Sequence, residues 1–175
     1  MTLDPAAFVH ELAATRIGRT YNQYASSELR RARLVDYLAR RAEAPFLLVG
    51  EAAGYRGARV SGIAFTSERQ LTGSGPAEAT ATIVRTSLAE LGLEDDVLCW
   101  NVVPTHPGTA TSNRPPTREE VAASRWFLRE LSQGRRVVAV GRLAARTLEA
   151  PYVRHPSHGG AVAFRRGLAT CVGSS

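Results

Sequence analysis

Three polar residues stand at or near the ends of short apolar runs. Glu51 follows Phe46-Leu47-Leu48-Val49 within Gly50-Glu51-Ala52-Ala53-Gly54, Asn101 lies near the end of Asp96 to Val103, and His155 closes Tyr152-Val153-Arg154-His155. A carboxylate and an imidazole can move protons or stabilise charge, and an amide offers a donor and an acceptor to whatever it faces. Each also has a plainer reading. Glu51 fits a helix-capping acid in a turn, Asn101 an amide that satisfies strand-end backbone groups, and His155 part of a structural His-Pro turn. Beyond His155, Pro156 breaks the strand, and Ser157 is predicted to cap the next helix. Gly159 and Gly160 let that backbone approach an anion closely.

The elements that must position these residues alternate between helix and strand. Asp4-Pro5 predicts a helix through Ala14, with Phe8 and Leu12 at helical spacing. Ser27 to Arg41 predicts a second, with Leu34, Val35 and Leu38 on one face. Its arginines, Arg30, Arg31, Arg33, Arg40 and Arg41, read either as a solvated face or as contacts to a phosphate backbone. Phe46 to Val49 is continuously apolar, as suits a strand buried on both faces. A long loop punctuated by Gly57 and Gly62 then carries Phe65, Thr66 and Ser67, and loops of that length commonly have a functional reason.

Ala77 to Leu91 predicts a helix and Asp96 to Val103 a second buried strand. Pro104 to Pro116 reads as an irregular loop bearing His106, Asn113 and Arg114, and Thr117 with Glu120 has capping-box spacing for a helix through Leu131. Arg136 to Val140 is a third strand, Gly141 opens a short helix, and Pro151 to His155 is a fourth strand. This alternation specifies an α/β domain with a mostly parallel sheet. Ligands of such sheets sit outside the carboxyl ends of the strands, where Glu51, Asn101 and His155 all fall.

The 175 residues suit one domain, residues 1–175. The net charge of +6 comes from arginine alone, since the chain contains no lysine; it fits a generally basic surface and a nucleic-acid footprint equally well. Cys99 and Cys171 are far apart and form no Cys-x-x-Cys pair, so neither a disulfide framework nor a cysteine-rich metal site is expected, and a reducing cytoplasm is. The first residues carry no signal pattern and no apolar run reaches membrane-span length, so no membrane association is expected.

Four segments in this order and spacing, Gly50-Glu51-Ala52-Ala53-Gly54, Asn101-Val102-Val103, Asn113-Arg114-Pro115-Pro116-Thr117 with Glu119-Glu120, and His155-Pro156-Ser157, resemble the uracil-DNA glycosylase superfamily. The nearest pattern is similar to its Gly-Glu-x-Pro-Gly branch, which includes the iron-sulfur enzymes of bacteria and archaea. The resemblance covers roughly Phe46 to Leu168. It implies a three-layer αβα sandwich around a four-stranded, mostly parallel sheet, and hydrolysis of the bond joining uracil to deoxyribose in DNA. A monomer acting on uracil-containing DNA is expected.

The resemblance also assigns roles. Phe65 would stack on the flipped base, Ala52 and Gly54 would border it, and Asn101 would read its edge. His155 would donate a hydrogen bond to the departing base, while Glu51 would orient or deprotonate water and stabilise the positive sugar. Ser157, Gly159, His158, the Ser67 hydroxyl and Arg154 would grip DNA phosphates, with Arg165 and Arg166 adding attraction. Phe65 has a plainer reading as core packing.

The pattern departs from the family in four places. Two separated cysteines replace the four that would bind a cluster, so no cofactor and no metal is expected. Ala53 stands where proline is usual, which is expected to loosen the turn beneath Glu51. Gly54 stands where some relatives carry the aromatic that excludes thymine, leaving selectivity open. His158-Gly159-Gly160 follows His155-Pro156-Ser157 where several relatives place an apolar wedge; His158 as a wedge, a phosphate contact or an exposed residue are equal alternatives. A protein that binds damaged or abasic DNA without cutting it is the alternative function, motivated by Ala53. A metal-dependent hydrolase using His155, His158 and His106 is a more distant one.

Overall fold

The Asp4 carboxylate accepts hydrogen bonds from the N–H groups of Ala6 and Ala7, at 2.9 and 3.2 Å, and so opens α1 (Pro5–Ala14) in the computed structural model, which describes residues 3–173. Ser27 caps α2 (Glu28–Arg40) through the Arg30 N–H. The chain continues through β1 (Phe46–Ala52), the short helices α3 (Ala58–Ser61) and α4 (Glu68–Thr72), α5 (Ala79–Glu90) and β2 (Val97–Val103). A small hairpin, β3 (Gly108–Thr109) and β4 (Ser112–Asn113), precedes α6 (Arg118–Ser132), β5 (Arg136–Val140), α7 (Arg142–Leu148), β6 (Tyr152–Val153) and α8 (Ala161–Gly173). At the start of α6, Thr117 and Glu120 exchange the reciprocal bonds of a capping box.

The main sheet is parallel throughout, in the order β2-β1-β5-β6. Every residue of β2 is buried, as are Leu47 to Gly50 of β1. Strands buried on both faces need helices above and below, so the domain has three layers. One contiguous apolar core joins them, and Phe8 of α1 packs edge-on against Trp100 of β2 and Phe127 of α6. In the β1–β2 register Gly50 faces Asn101, which brings the two motifs side by side.

Three local expectations change. The fourth strand is confined to Tyr152–Val153, because its partner β5 ends at Val140 and Gly141 turns away with φ 87°. The loop from Pro104 to Pro116 is not wholly irregular, since it contains the β3–β4 hairpin. The helix after His155 begins at Ala161 rather than at Ser157, whose polar groups bond to His155 instead.

Candidate active site

A cavity of about 60 Å³ at the carboxyl ends of β1 and β2 brings together Glu51, Ala52, Gly54, Phe65, Asn101 and His155. Gly50 makes the arrangement possible. A Cβ at that position would stand 2.5 Å from Phe65 Cζ and 2.8 Å from Asn101 Oδ1, so ring and amide meet over the bare backbone. Asn101 is 6% exposed, and its amide makes no hydrogen bond to any described residue. A buried amide normally finds a partner within the protein. Asn101 is therefore not satisfying strand-end backbone groups; its hydrogen-bonding capacity is left for the cavity.

Phe65 is buried and held at φ 50°, in the left-handed region that phenylalanine seldom adopts. Arg85 of α5 braces this conformation, donating from Nε to the Phe65 carbonyl at 3.3 Å and to Thr66 Oγ1 at 3.0 Å. The ring is thus both packed in the core and presented to the cavity. Strain of this kind persists only where surrounding contacts enforce it.

His155 is oriented by the loop that follows it. The Ser157 N–H donates to His155 Nδ1 at 3.2 Å, which makes Nδ1 an acceptor and leaves the proton of the neutral ring on Nε2. The Ser157 hydroxyl lies 2.8 Å from the same Nδ1 and 3.1 Å from His158 Nδ1. Burial lowers the His155 pKa, and electrostatic interaction with neighbouring His158 lowers it further, which favours the neutral ring. Glu51 sits at the mouth of the cavity with no hydrogen bond or ion pair to a described residue, and partial burial raises its pKa. The site thus offers a donor at His155 Nε2, a proton acceptor at Glu51, and a two-way amide beside an aromatic ring.

The turn beneath Glu51 is not loosened by Ala53. Its N–H donates to Val103 O at 3.3 Å, a bond proline could not make, and its carbonyl lies 2.7 Å from His106 Nδ1. His106 Nε2 lies 2.7 Å from the Thr109 carbonyl, so both ring nitrogens are engaged with backbone and the histidine is wholly buried. Among the described residues no three His, Cys, Asp or Glu side chains are grouped to hold a metal ion. Nor does the chain fit a four-cysteine cluster, because Cys99 in β2 and Cys171 in α8 are two free thiols on separate elements.

The residues expected to grip DNA divide. Arg154, His158 and Gly159 are exposed in the segment around His155, with His158 at φ 53° and Gly159 at φ 74° turning the chain sharply. Ser157 is half-buried, its hydroxyl bonded to the two histidines. Ser67 is fully buried; its hydroxyl and N–H both donate to Gln70 Oε1, at 3.0 and 2.8 Å, so it closes the start of α4 instead of presenting a hydroxyl to a phosphate. Arg165 is paired with Glu90 at 2.8 Å. Sequence reasoning missed Glu78 and Thr80, which also line the cavity. The available signal was a glutamate at the N-cap of α5, a position that ordinarily takes Ser, Thr, Asp or Asn.

A larger cleft, about 1010 Å³, opens at the amino ends of the strands, between α1 and the end of α6. It contains none of the residues that the sequence assigned to catalysis, base recognition or DNA contact. No curated relative matches the chain by sequence. Among solved structures, wild-type Pedobacter heparinus SMUG2 superposes with a TM-score of 0.68 over 97% of this chain and 96% of that one, at 12% identity, a likeness of fold. Residues 38–170 match the family model described as the Uracil DNA glycosylase superfamily, a span that includes Glu51, Phe65, Asn101 and His155; the chain belongs to that superfamily.

Proposed function

We propose that the protein hydrolyses the N-glycosidic bond of uracil in DNA and leaves an abasic site. The observation that carries this reading is the buried, unpartnered Asn101 amide beside Phe65. A base must leave the stack to reach such a cavity. There the Phe65 ring supplies a stacking surface, and the Asn101 amide matches the N3 donor and O4 acceptor of uracil. Cytosine presents the reversed pattern, so the site rejects it only where the amide is kept from flipping.

As the bond breaks, negative charge develops on the base and positive charge on the sugar. The Nε2–H of neutral His155 donates to uracil O2, stabilising the leaving anion without transferring its proton. The Glu51 carboxylate, at the mouth, orients or deprotonates the attacking water and stabilises the cationic sugar. Exposed Arg154 and the backbone around His158 and Gly159, which flank His155 in the chain, would hold a flanking phosphate.

The test is excision from an oligonucleotide carrying one uracil, scored as strand breakage at abasic sites. The wild-type protein is expected to produce breaks, and Asn101→Ala to lower the rate by roughly 100-fold or more, the scale of losing one preorganised polar contact. Tight binding of the uracil oligonucleotide without any abasic product would instead identify a non-catalytic binder of damaged DNA.

A further inference from the structure

Glu78 occupies the N-cap position of α5, yet its side chain caps nothing. Its carboxyl instead reaches over the first motif. A Cβ on Gly54 would stand 2.8 Å from Glu78 Oε1, and one on Gly57 would stand 1.8 Å from Oε2. The carboxyl therefore fills the space that two glycines leave open on one side of the cavity also lined by Phe65, Asn101 and His155. It makes no hydrogen bond or ion pair with any described residue, and its burial raises its pKa. A partly buried carboxyl without a protein partner is left to interact with whatever enters the cavity it lines.

We propose that Glu78 is a specificity residue of the base pocket, limiting it to unsubstituted pyrimidines by filling the space above Gly54 and Gly57. The inference rests on the reading of the cavity as a base pocket. Two physical effects act together. The side chain takes up volume in a cavity of only about 60 Å³, so a larger base or an added substituent meets it directly. An apolar group pressed on the carboxyl would also strip it of water with no hydrogen bond in return. The polarised C–H edge of uracil makes neither demand.

The experiment compares wild type, Glu78→Ala and Glu78→Gln on oligonucleotides carrying uracil, 5-methyluracil mispaired with guanine, or hypoxanthine. Excision is scored as abasic sites and binding by fluorescence anisotropy. The expected result is that Glu78→Ala raises the ratio of larger-base to uracil processing by at least about tenfold, the scale set by one methyl group in a pocket. Glu78→Gln, which keeps the volume, is expected to retain most of the discrimination. Unchanged ratios in Glu78→Ala, with uracil still excised, would overturn the proposal, and so would equal relaxation in both variants. If the wild type excises no base, the glycosylase reading fails separately, and the anisotropy ratios still decide whether Glu78 restricts what enters the cavity.

Discussion

Ser157 donates its backbone N–H to His155 Nδ1 at 3.2 Å, and this bond sets which ring nitrogen of this cavity-lining histidine carries the proton. The Ser157 hydroxyl, 2.8 Å from the same nitrogen, adds a second contact but is not needed to fix the tautomer. Ser157→Ala is therefore expected to slow uracil excision by less than about tenfold, while His155→Ala removes the donor itself and is expected to cost roughly 100- to 1000-fold. Single-turnover excision measures both. Nitrogen-15 shifts of the ring should report an Nε2–H tautomer in the wild type and in Ser157→Ala. Equal damage from the two substitutions would mean that the hydroxyl, rather than the backbone, controls the histidine.

Gly50 gives a steric test of the same cavity. An added Cβ would stand 2.5 Å from Phe65 Cζ and 2.8 Å from Asn101 Oδ1, so Gly50→Ala must push apart the ring and the amide. The strand around it is buried and parallel-paired on both sides, which leaves the displacement to the two side chains. Excision is expected to fall by about 100-fold or more, the scale associated with misplacing a reacting group by about an ångström. Circular dichroism should show the helix and strand content retained. Wild-type excision in Gly50→Ala would disprove the proposed contact between base, Phe65 and Asn101.

Much of this geometry is legible in the sequence because its causes are local. Asp4, Ser27 and Thr117 cap the helices that their residue types announce, and the apolar runs of β1 and β2 mark strands buried on both faces. Parallel strands then carry Glu51 and Asn101 to the same edge of the sheet without any long-range information. What stayed hidden depends on partners distant in sequence or on competition between similar signals. Ser67 and Ser157 both precede a turn or helix, yet one bonds Gln70 and the other His155, and residue type cannot separate these outcomes. The reach of Glu78 over Gly54 and Gly57 is likewise set by tertiary packing. Ala53 appears weak beside proline only until Val103 and His106 supply the bonds that hold it.

Glu51 links activity to stability with opposite signs. Burial raises its folded-state pKa above that of the unfolded chain, so folding favours the protonated acid, and the ionised form present at neutral pH opposes folding. Catalysis requires that ionised form. Excision is therefore expected to decline as pH falls through the raised Glu51 pKa, at a pH above the ordinary carboxylate range near 4.3. Glu51→Gln should abolish most excision yet melt at the same temperature as the wild type or higher at pH 7. Glu78, whose pKa is also raised, could contribute to the acid limb, so the profile is repeated in Glu78→Gln. A limb that vanishes in Glu78→Gln does not belong to Glu51; one that persists there, is lost in the residual activity of Glu51→Gln and is kept when His155 is replaced does.

Glu120 shows the reverse coupling and tests the support behind the first motif. It is 1% exposed, receives Arg114 in a two-pronged pair at 2.6 and 2.8 Å, and accepts the Thr117 N–H at 2.9 Å and the Arg19 N–H at 3.3 Å. The Arg114 hydrogen bonds, the largest cause, hold its pKa down at about 2. A depressed folded-state pKa contributes stability that is complete above the unfolded value near 4.3 and is lost as pH falls toward about 2. Glu120→Gln is expected to lower unfolding stability at pH 7 by about 2 kcal/mol, the scale of hydrogen bonds to a charged group. Its stability should also vary less with pH between about 4.3 and 2 than that of the wild type. Because Arg114 adjoins Asn113, whose side chain accepts the Tyr55 N–H at 2.9 Å, loosening this pair also frees the backbone next to Gly54. Urea denaturation across that pH range, with uracil excision at pH 7 as the second readout, checks both consequences; parallel acid curves for the two proteins would show that Glu120 is not the group that titrates.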